Sequence, residues 1–206
     1  MLPTNTLSPI VSSRHGSASR TEAKRIFVVE DHPIVRHGYR TLLELAPDLK
    51  VVGEASTAEE AISALESAPV PDLLVVDLGL SGMSGLELIR KATDADAGIR
   101  VLVVSMYEEA LYGEKALQSG AHGYVRKKKV ETVIVEAART VLEGDYYLSA
   151  PLQRRIVGQY TGQGETTGGA IQSLTDRELE VFEKIGLGLS TREVADRLHI
   201  SMKTVQ

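Results

Sequence analysis

The chain has 206 residues and a formal net charge of −5, with 43% hydrophobic and 4% aromatic residues and neither Cys nor Trp. Disulfides, thiolate zinc sites and cysteine nucleophiles are excluded, and the acid-leaning balance argues against a chain that coats nucleic acid or an anionic membrane. No apolar run reaches the roughly 18 residues of a membrane helix, and "MLPTNTLSPIVSS" is too broken by polar residues and prolines for a signal-peptide core. The expectation is a cytoplasmic protein with no membrane partner.

In chain order, residues 1–22 are rich in Ser, Thr and Pro without any period and read as a disordered extension. Residues 23–149 alternate β-branched runs with amphipathic segments. The runs "RIFVVE", "KVVGEA", "DLLVVDL", "RVLVVSM" and "GYVRK" predict strands. The segments "PIVRHGYRTLLELA", "TAEEAISALESA", "GLELIRKATD", "EALYGEKALQSG" and "VETVIVEAARTVLEG" predict helices. Thr57 with Glu60 marks a capping box, Pro33 suits a first helical turn, and Gly120 and Gly144 suit helix ends. Five βα units in series predict an α/β domain, a doubly wound parallel sheet of five strands in the order 2-1-3-4-5, with helices on both faces. Residues 150–172 include the polar, glycine-rich "GQYTGQGETTGGAIQ" and read as a flexible linker, entered by a short helix from Pro151 to Tyr160. Residues 173–206 are helical again, with Thr175/Glu178 and Ser190/Glu193 as capping boxes. Leu179, Phe182 and Ile185 line the first of these helices, and Val194, Ala195 and Leu198 the second. Two helices and a tight turn into another suit a small all-α helix-turn-helix segment.

In a doubly wound sheet, ligands bind beyond the carboxyl ends of the strands, where strand order reverses. Glu30 and Asp31 close the first strand there and Asp77 closes the third. Three carboxylates in one crevice repel each other unless a cation neutralises them, and hard oxygen donors suit Mg²⁺. The fourth strand ends on the hydroxyl of Ser105 and the fifth runs into the ammonium of Lys127. A metal, a hydroxyl and a cation around one carboxylate cradle a phosphoryl group, with Asp77 as the nucleophile. His32 and His37 lack a second nitrogen or sulfur ligand nearby in sequence and read as surface or capping residues.

The pieces "VVEDHPIVRHG", "LLVVDLGLSGMSGLELI", "VLVVSM" and "GYVRK" together resemble the receiver domain of two-component response regulators. That resemblance implies that Glu30, Asp31, Asp77 and the backbone carbonyl of Gly79 hold Mg²⁺, and that Asp77 accepts phosphate from a sensor histidine kinase. It also implies that Ser105 and Lys127 bind the phosphoryl oxygens and that Tyr124 is the aromatic switch. Glu30 departs from the pattern, standing where an aspartate is more usual. The tail, "LTDRELEV…GLSTREVADRLHISMKTV", resembles the LuxR-type DNA-binding domain of the NarL/FixJ family. Lys203, Thr204 and Gln206 are then the candidate DNA contacts, promoter DNA the partner, and a homodimer the phosphorylated state. The resemblance also implies a C-terminal truncation, with the remainder of the recognition helix and a final helix beyond Gln206. Acids outnumber bases by one from Asp176 onward, so this segment as written is expected to attract DNA weakly. Two alternatives to a phosphorylated transcription factor are a regulator acting through protein contacts without phosphate and an aspartyl-phosphate phosphohydrolase. The latter is disfavoured because Leu78 and Gly79 offer no second acid or base after Asp77. Apart from slow self-dephosphorylation, no enzyme activity is expected.

Overall fold

The computed structural model describes residues 22–161, 174–198 and 200–205. The expected N-terminal extension and the second half of the expected linker lie outside them.

The strands are β1 (Lys24–Val29), β2 (Leu49–Ala55), β3 (Leu73–Val76), β4 (Arg100–Ser105) and β5 (Gly123–Arg126). They form one parallel sheet in the order β2-β1-β3-β4-β5, as expected. The receiver helices are α1 (Pro33–Glu44), α2 (Ala58–Ser67), α3 (Gly85–Ala95), α4 (Glu109–Gln118) and α5 (Val130–Glu143). All four residues of β3 are fully buried, which is what an unbroken apolar run requires of a central strand. Alternate strand residues serve opposite faces. Ile26, Val28, Leu73 and Val75 pack under α1 and α5 with Leu43, Ile134 and Val141. Phe27, Val29, Leu74 and Val76 pack under α2, α3 and α4 with Ala61, Ile89 and Tyr112.

Local signals set the ends of these helices. Pro33 opens α1, and Gly144 closes α5 at φ 102°, a left-handed turn that a side chain would resist. The Thr57 hydroxyl caps α2 by accepting from Glu60 N–H, while the Glu60 carboxylate turns to Ser56 instead of completing the box.

The short helix expected from Pro151 to Tyr160 at the head of the linker is present as α6 (Ala150–Thr161), which lies against α4. Arg155 donates to the Ala110 carbonyl and pairs with Glu114, Glu109 accepts from Ser149 N–H, and Leu152 fills the space left by Gly113. The tail comprises α7 (Asp176–Gly186), α8 (Thr191–Leu198) and the short α9 (Met202–Val205). Among the described residues no helix is long and apolar enough to cross a membrane.

Gly85, at the start of α3, has a positional role. Its N–H donates to the Leu78 carbonyl, and a Cβ there would sit 2.3 Å from the Asp77 carbonyl oxygen and 2.6 Å from Leu78 Cα. Both obstacles are backbone, so they cannot swing aside. Gly85→Ala is expected to destabilise the protein by about 2–3 kcal/mol in urea denaturation, because overpacking here must displace the loop carrying Asp77. An unchanged midpoint would show that the loop yields freely.

Candidate functional site

The sheet brings Glu30, Asp31, Asp77, Ser105 and Lys127 to its carboxyl edge, where β1, β3, β4 and β5 end side by side. Glu30 is fully buried, Asp77 is 5% exposed and Ser105 1%. The Lys127 ammonium lies 2.7 Å from Asp77 Oδ2 and 2.7 Å from Glu30 Oε2, so one cation bridges two buried carboxylates. Asp77 Oδ1 also accepts from Gly79 N–H at 3.2 Å. Glu30 Oε1 accepts from His32 N–H at 3.2 Å, while Oε2 has only the ion pair with Lys127 and no aligned hydrogen bond.

This arrangement shifts the charges in a definite direction. Burial, reinforced by the neighbouring Asp77 carboxylate, pushes the Glu30 pKa above the usual glutamate value despite Lys127. Burial works against the Lys127 charge, but Asp77 and then Glu30 outweigh it and raise the lysine pKa. Two acids facing one base leave the pocket with excess negative charge, to which the adjacent Asp31 adds. Such a pocket favours a hard cation.

His32 is exposed at the N-cap position of α1, as expected of a surface residue there, although its side chain makes no cap hydrogen bond, and its Nδ1 lies 2.6 Å from Asp31 Oδ1. Donor atoms of Glu30, Asp31 and His32 fall within 4.8 Å of one another. Asp31, and Glu30 after it, raise the His32 pKa. The run Glu-Asp-His at the end of a strand was the signal available for this cluster. Asp77 joins it through Lys127.

Around the other side, Ser105 Oγ accepts from Tyr107 N–H at 3.2 Å, and the Tyr124 hydroxyl donates to the Tyr107 carbonyl at 3.0 Å. Tyr124 is 4% exposed and therefore turned inward. Tyr107 stacks on Tyr112 with ring centroids 4.5 Å apart. Its hydroxyl also reaches the space beside Gly79.

The tail meets this same surface. Lys184 of α7 sits 4.7 Å above the Tyr107 ring, and Tyr112 donates to Glu183 at 3.5 Å. Asp176 pairs with Arg90 at 2.7 Å and with Lys115 at 3.8 Å. Leu179 is fully buried and belongs to the same apolar cluster as Tyr107 and Tyr112. Phe182 and Ile185, expected to share a buried face with it, are instead 49% and 52% exposed. Leu179 packs against the receiver, while Phe182 and Ile185 stay at the surface. Val194, Ala195 and Leu198 are buried as expected. A cavity of about 370 Å³ remains between the two parts, walled by Asp31, Gly79, Ser81 and Tyr107 on one side and Arg177, Glu180, Lys184 and Arg197 on the other. The candidate DNA residues Lys203 and Thr204 are exposed on α9, and Gln206 lies outside the described residues.

The bridging ammonium gives a direct stability test. Lys127→Ala strands two buried carboxylates and is expected to cost roughly 3 kcal/mol at neutral pH. An acid whose pKa is raised in the folded state binds its proton more readily there, so acidification should narrow the deficit, and adding Asp77→Asn should recover part of it. Urea titrations of both variants at neutral and mildly acidic pH check this. A loss independent of pH would show that packing, and not charge, sets the role of Lys127.

Comparison with known proteins agrees with this geometry. Residues 26–139 match the family model for the response regulator receiver domain, and residues 172–206 match that for bacterial regulatory proteins of the luxR family. The chain is 35% identical over 190 residues to the nitrate/nitrite response regulator protein NarL of Escherichia coli K12, covering 91% of this chain and 87% of that protein. It is 38% identical over 183 residues to the transcriptional activator protein ExaE of Pseudomonas putida, covering 87% and 84%. A LuxR-family two-component response regulator from Aurantimonas sp. SI85-9A1 superposes with a TM-score of 0.61 at 36% identity, covering 68% of this chain and 99% of that one. The chain belongs to the two-component response regulators that join a receiver domain to a LuxR-type helix-turn-helix domain.

Proposed function

We propose that this protein is a transcription factor switched by Mg²⁺-dependent phosphorylation of Asp77. The observation that carries the reading is a nucleophilic carboxylate, almost fully buried, held by Lys127 and Gly79 N–H with the hydroxyl of Ser105 at the neighbouring strand end. Glu30, Asp31 and Asp77, with the Gly79 carbonyl, fit a divalent cation. They supply hard oxygens and excess negative charge, and Glu30 Oε2 is a buried acceptor without a hydrogen bond. The cation, when bound, neutralises charge on the phosphoryl oxygens.

Asp77 attacks the phosphorus of a phosphohistidine on a sensor histidine kinase. A carboxylate oxygen–phosphorus bond forms, the nitrogen–phosphorus bond breaks, and the departing imidazole takes a proton. Lys127 and Ser105 hold the equatorial oxygens where negative charge spreads. The product carries roughly −1.5 to −2 charges. To reach it, Ser105 Oγ must leave the Tyr107 N–H, so the loop on which the tail rests is rearranged. Release of the tail, homodimerisation and promoter binding follow from that change. The protein acts in the cytoplasm and turns over nothing beyond slow loss of its own phosphate.

Intact mass of the wild type and of Asp77→Asn after incubation with acetyl phosphate, with Mg²⁺ or with chelator, tests this reading. One added phosphoryl group is expected on the wild type with Mg²⁺ only, and none on the variant. The absence of an adduct on either protein, together with no Mg²⁺ binding, would favour a regulator that works through protein contacts without phosphate.

A further inference from the structure

The cavity between the receiver and the tail, about 370 Å³, has the size of a site for a small organic molecule. Its floor is made by the connections that follow β1, β3 and β4, through Asp31, Gly79, Ser81 and Tyr107. It reaches the phosphoacceptor at Gly79. A Cβ placed there would lie 3.6 Å from Asp77 Oδ2 and 3.6 Å from the Tyr107 hydroxyl, so the bare glycine leaves open the space between the buried carboxylate and the cavity.

The opposite wall belongs to the tail and is basic. Arg177 of α7 is taken up by Glu180 at 2.5 Å and by the Leu198 carbonyl. The Lys184 ammonium, 4.7 Å above the Tyr107 ring, has Glu183 only at 3.7 Å. Arg197 of α8 is exposed and forms no ion pair among the described residues. One loosely paired and one unpaired cation therefore face Asp77 across a cleft whose low-dielectric walls concentrate their field. Displacement at phosphorus runs in line, with the attacking and leaving oxygens on opposite sides. Attack by Asp77 from the floor sends the leaving group outward, toward Lys184 and Arg197. A group that departs as an anion is stabilised there, and one that departs neutral is not.

We propose that this cavity is a binding site for a small acyl phosphate, with Lys184 and Arg197 holding the carboxylate that departs as the phosphoryl group passes to Asp77. This rests on the phosphoacceptor role given to Asp77 under Proposed function. The bond from Asp77 oxygen to phosphorus forms and the bond from phosphorus to the acyl oxygen breaks. Its electron pair leaves with the carboxylate, so no proton is required. The tail then assists the phosphorylation that releases it, where a simple cover would only obstruct it.

The test is the initial rate of phosphoryl addition to the full chain, followed by intact mass at low donor concentration and saturating Mg²⁺. Arg197→Ala is expected to slow phosphorylation by acetyl phosphate roughly fivefold to tenfold. Its rate with phosphoramidate, whose leaving group departs as neutral ammonia, is expected to change much less. Arg192→Ala removes the same charge from the same helix outside the cavity wall and is expected to match the wild type with both donors. An unchanged or faster reaction of Arg197→Ala with acetyl phosphate would overturn the site and show the tail to be a cover only. Equal slowing with both donors, or equal slowing in Arg192→Ala, would overturn it as well. Failure of the wild type to take phosphate from either donor would overturn the reading beneath it.

Discussion

One ammonium between two buried carboxylates is the interaction on which the site depends. Lys127 stands within 2.7 Å of both Asp77 and Glu30, and without it the carboxyl edge of the sheet would hold two like charges out of water. Its position is in turn a product of the fold. The parallel order of β1, β3, β4 and β5 brings four strand ends together, and the close approach of Gly85 to Asp77 fixes the loop that follows. The bridge falls short of full neutralisation, since two acids and the nearby Asp31 face one lysine. On the proposed reading, that residual charge is what draws a cation, and a phosphoryl group on Asp77 would give Lys127 a competing partner.

From this pocket to the tail the path is short and passes through Tyr107. Its N–H is held by Ser105, its carbonyl by Tyr124, its ring by Tyr112 on one side and Lys184 of the tail near the other end of the contact. A change in what Ser105 bonds therefore reaches the residue on which α7 rests. The second route runs through α4, gripped along its length by Leu152 and Arg155 of α6. Both routes begin in the same strand-to-helix connection after β4, so under the proposed function the switch and its output would share one loop.

Much of the fold was legible in the sequence, because unbroken runs such as Leu73 to Val76 can satisfy themselves only in a sheet covered on both faces. The site was legible where its residues end strands, as Asp77 and Ser105 do. What the sequence concealed was partnership. Helical periodicity showed that α7 has an apolar face, but not that Leu179 would turn to the receiver and expose Phe182 and Ile185. The short helix after Ser149 was legible, whereas the contacts of Leu152 and Arg155 with α4 depend on a groove that exists only after folding. His32 is at the surface as expected, and what the sequence did not reveal is its contact with the adjacent carboxylate of Asp31.

The central claim is that the charge balance at Asp77 is read by the tail through Tyr107. The most direct measurement is a backbone NMR comparison of the full chain with and without beryllofluoride and Mg²⁺, in the wild type and in Asp77→Asn. The account predicts that Ser105, Tyr107, Tyr124 and residues of α7 from Asp176 to Gly186 shift together in the wild type and stay fixed in the variant. Shifts confined to the strand ends, with α7 unmoved, would contradict it.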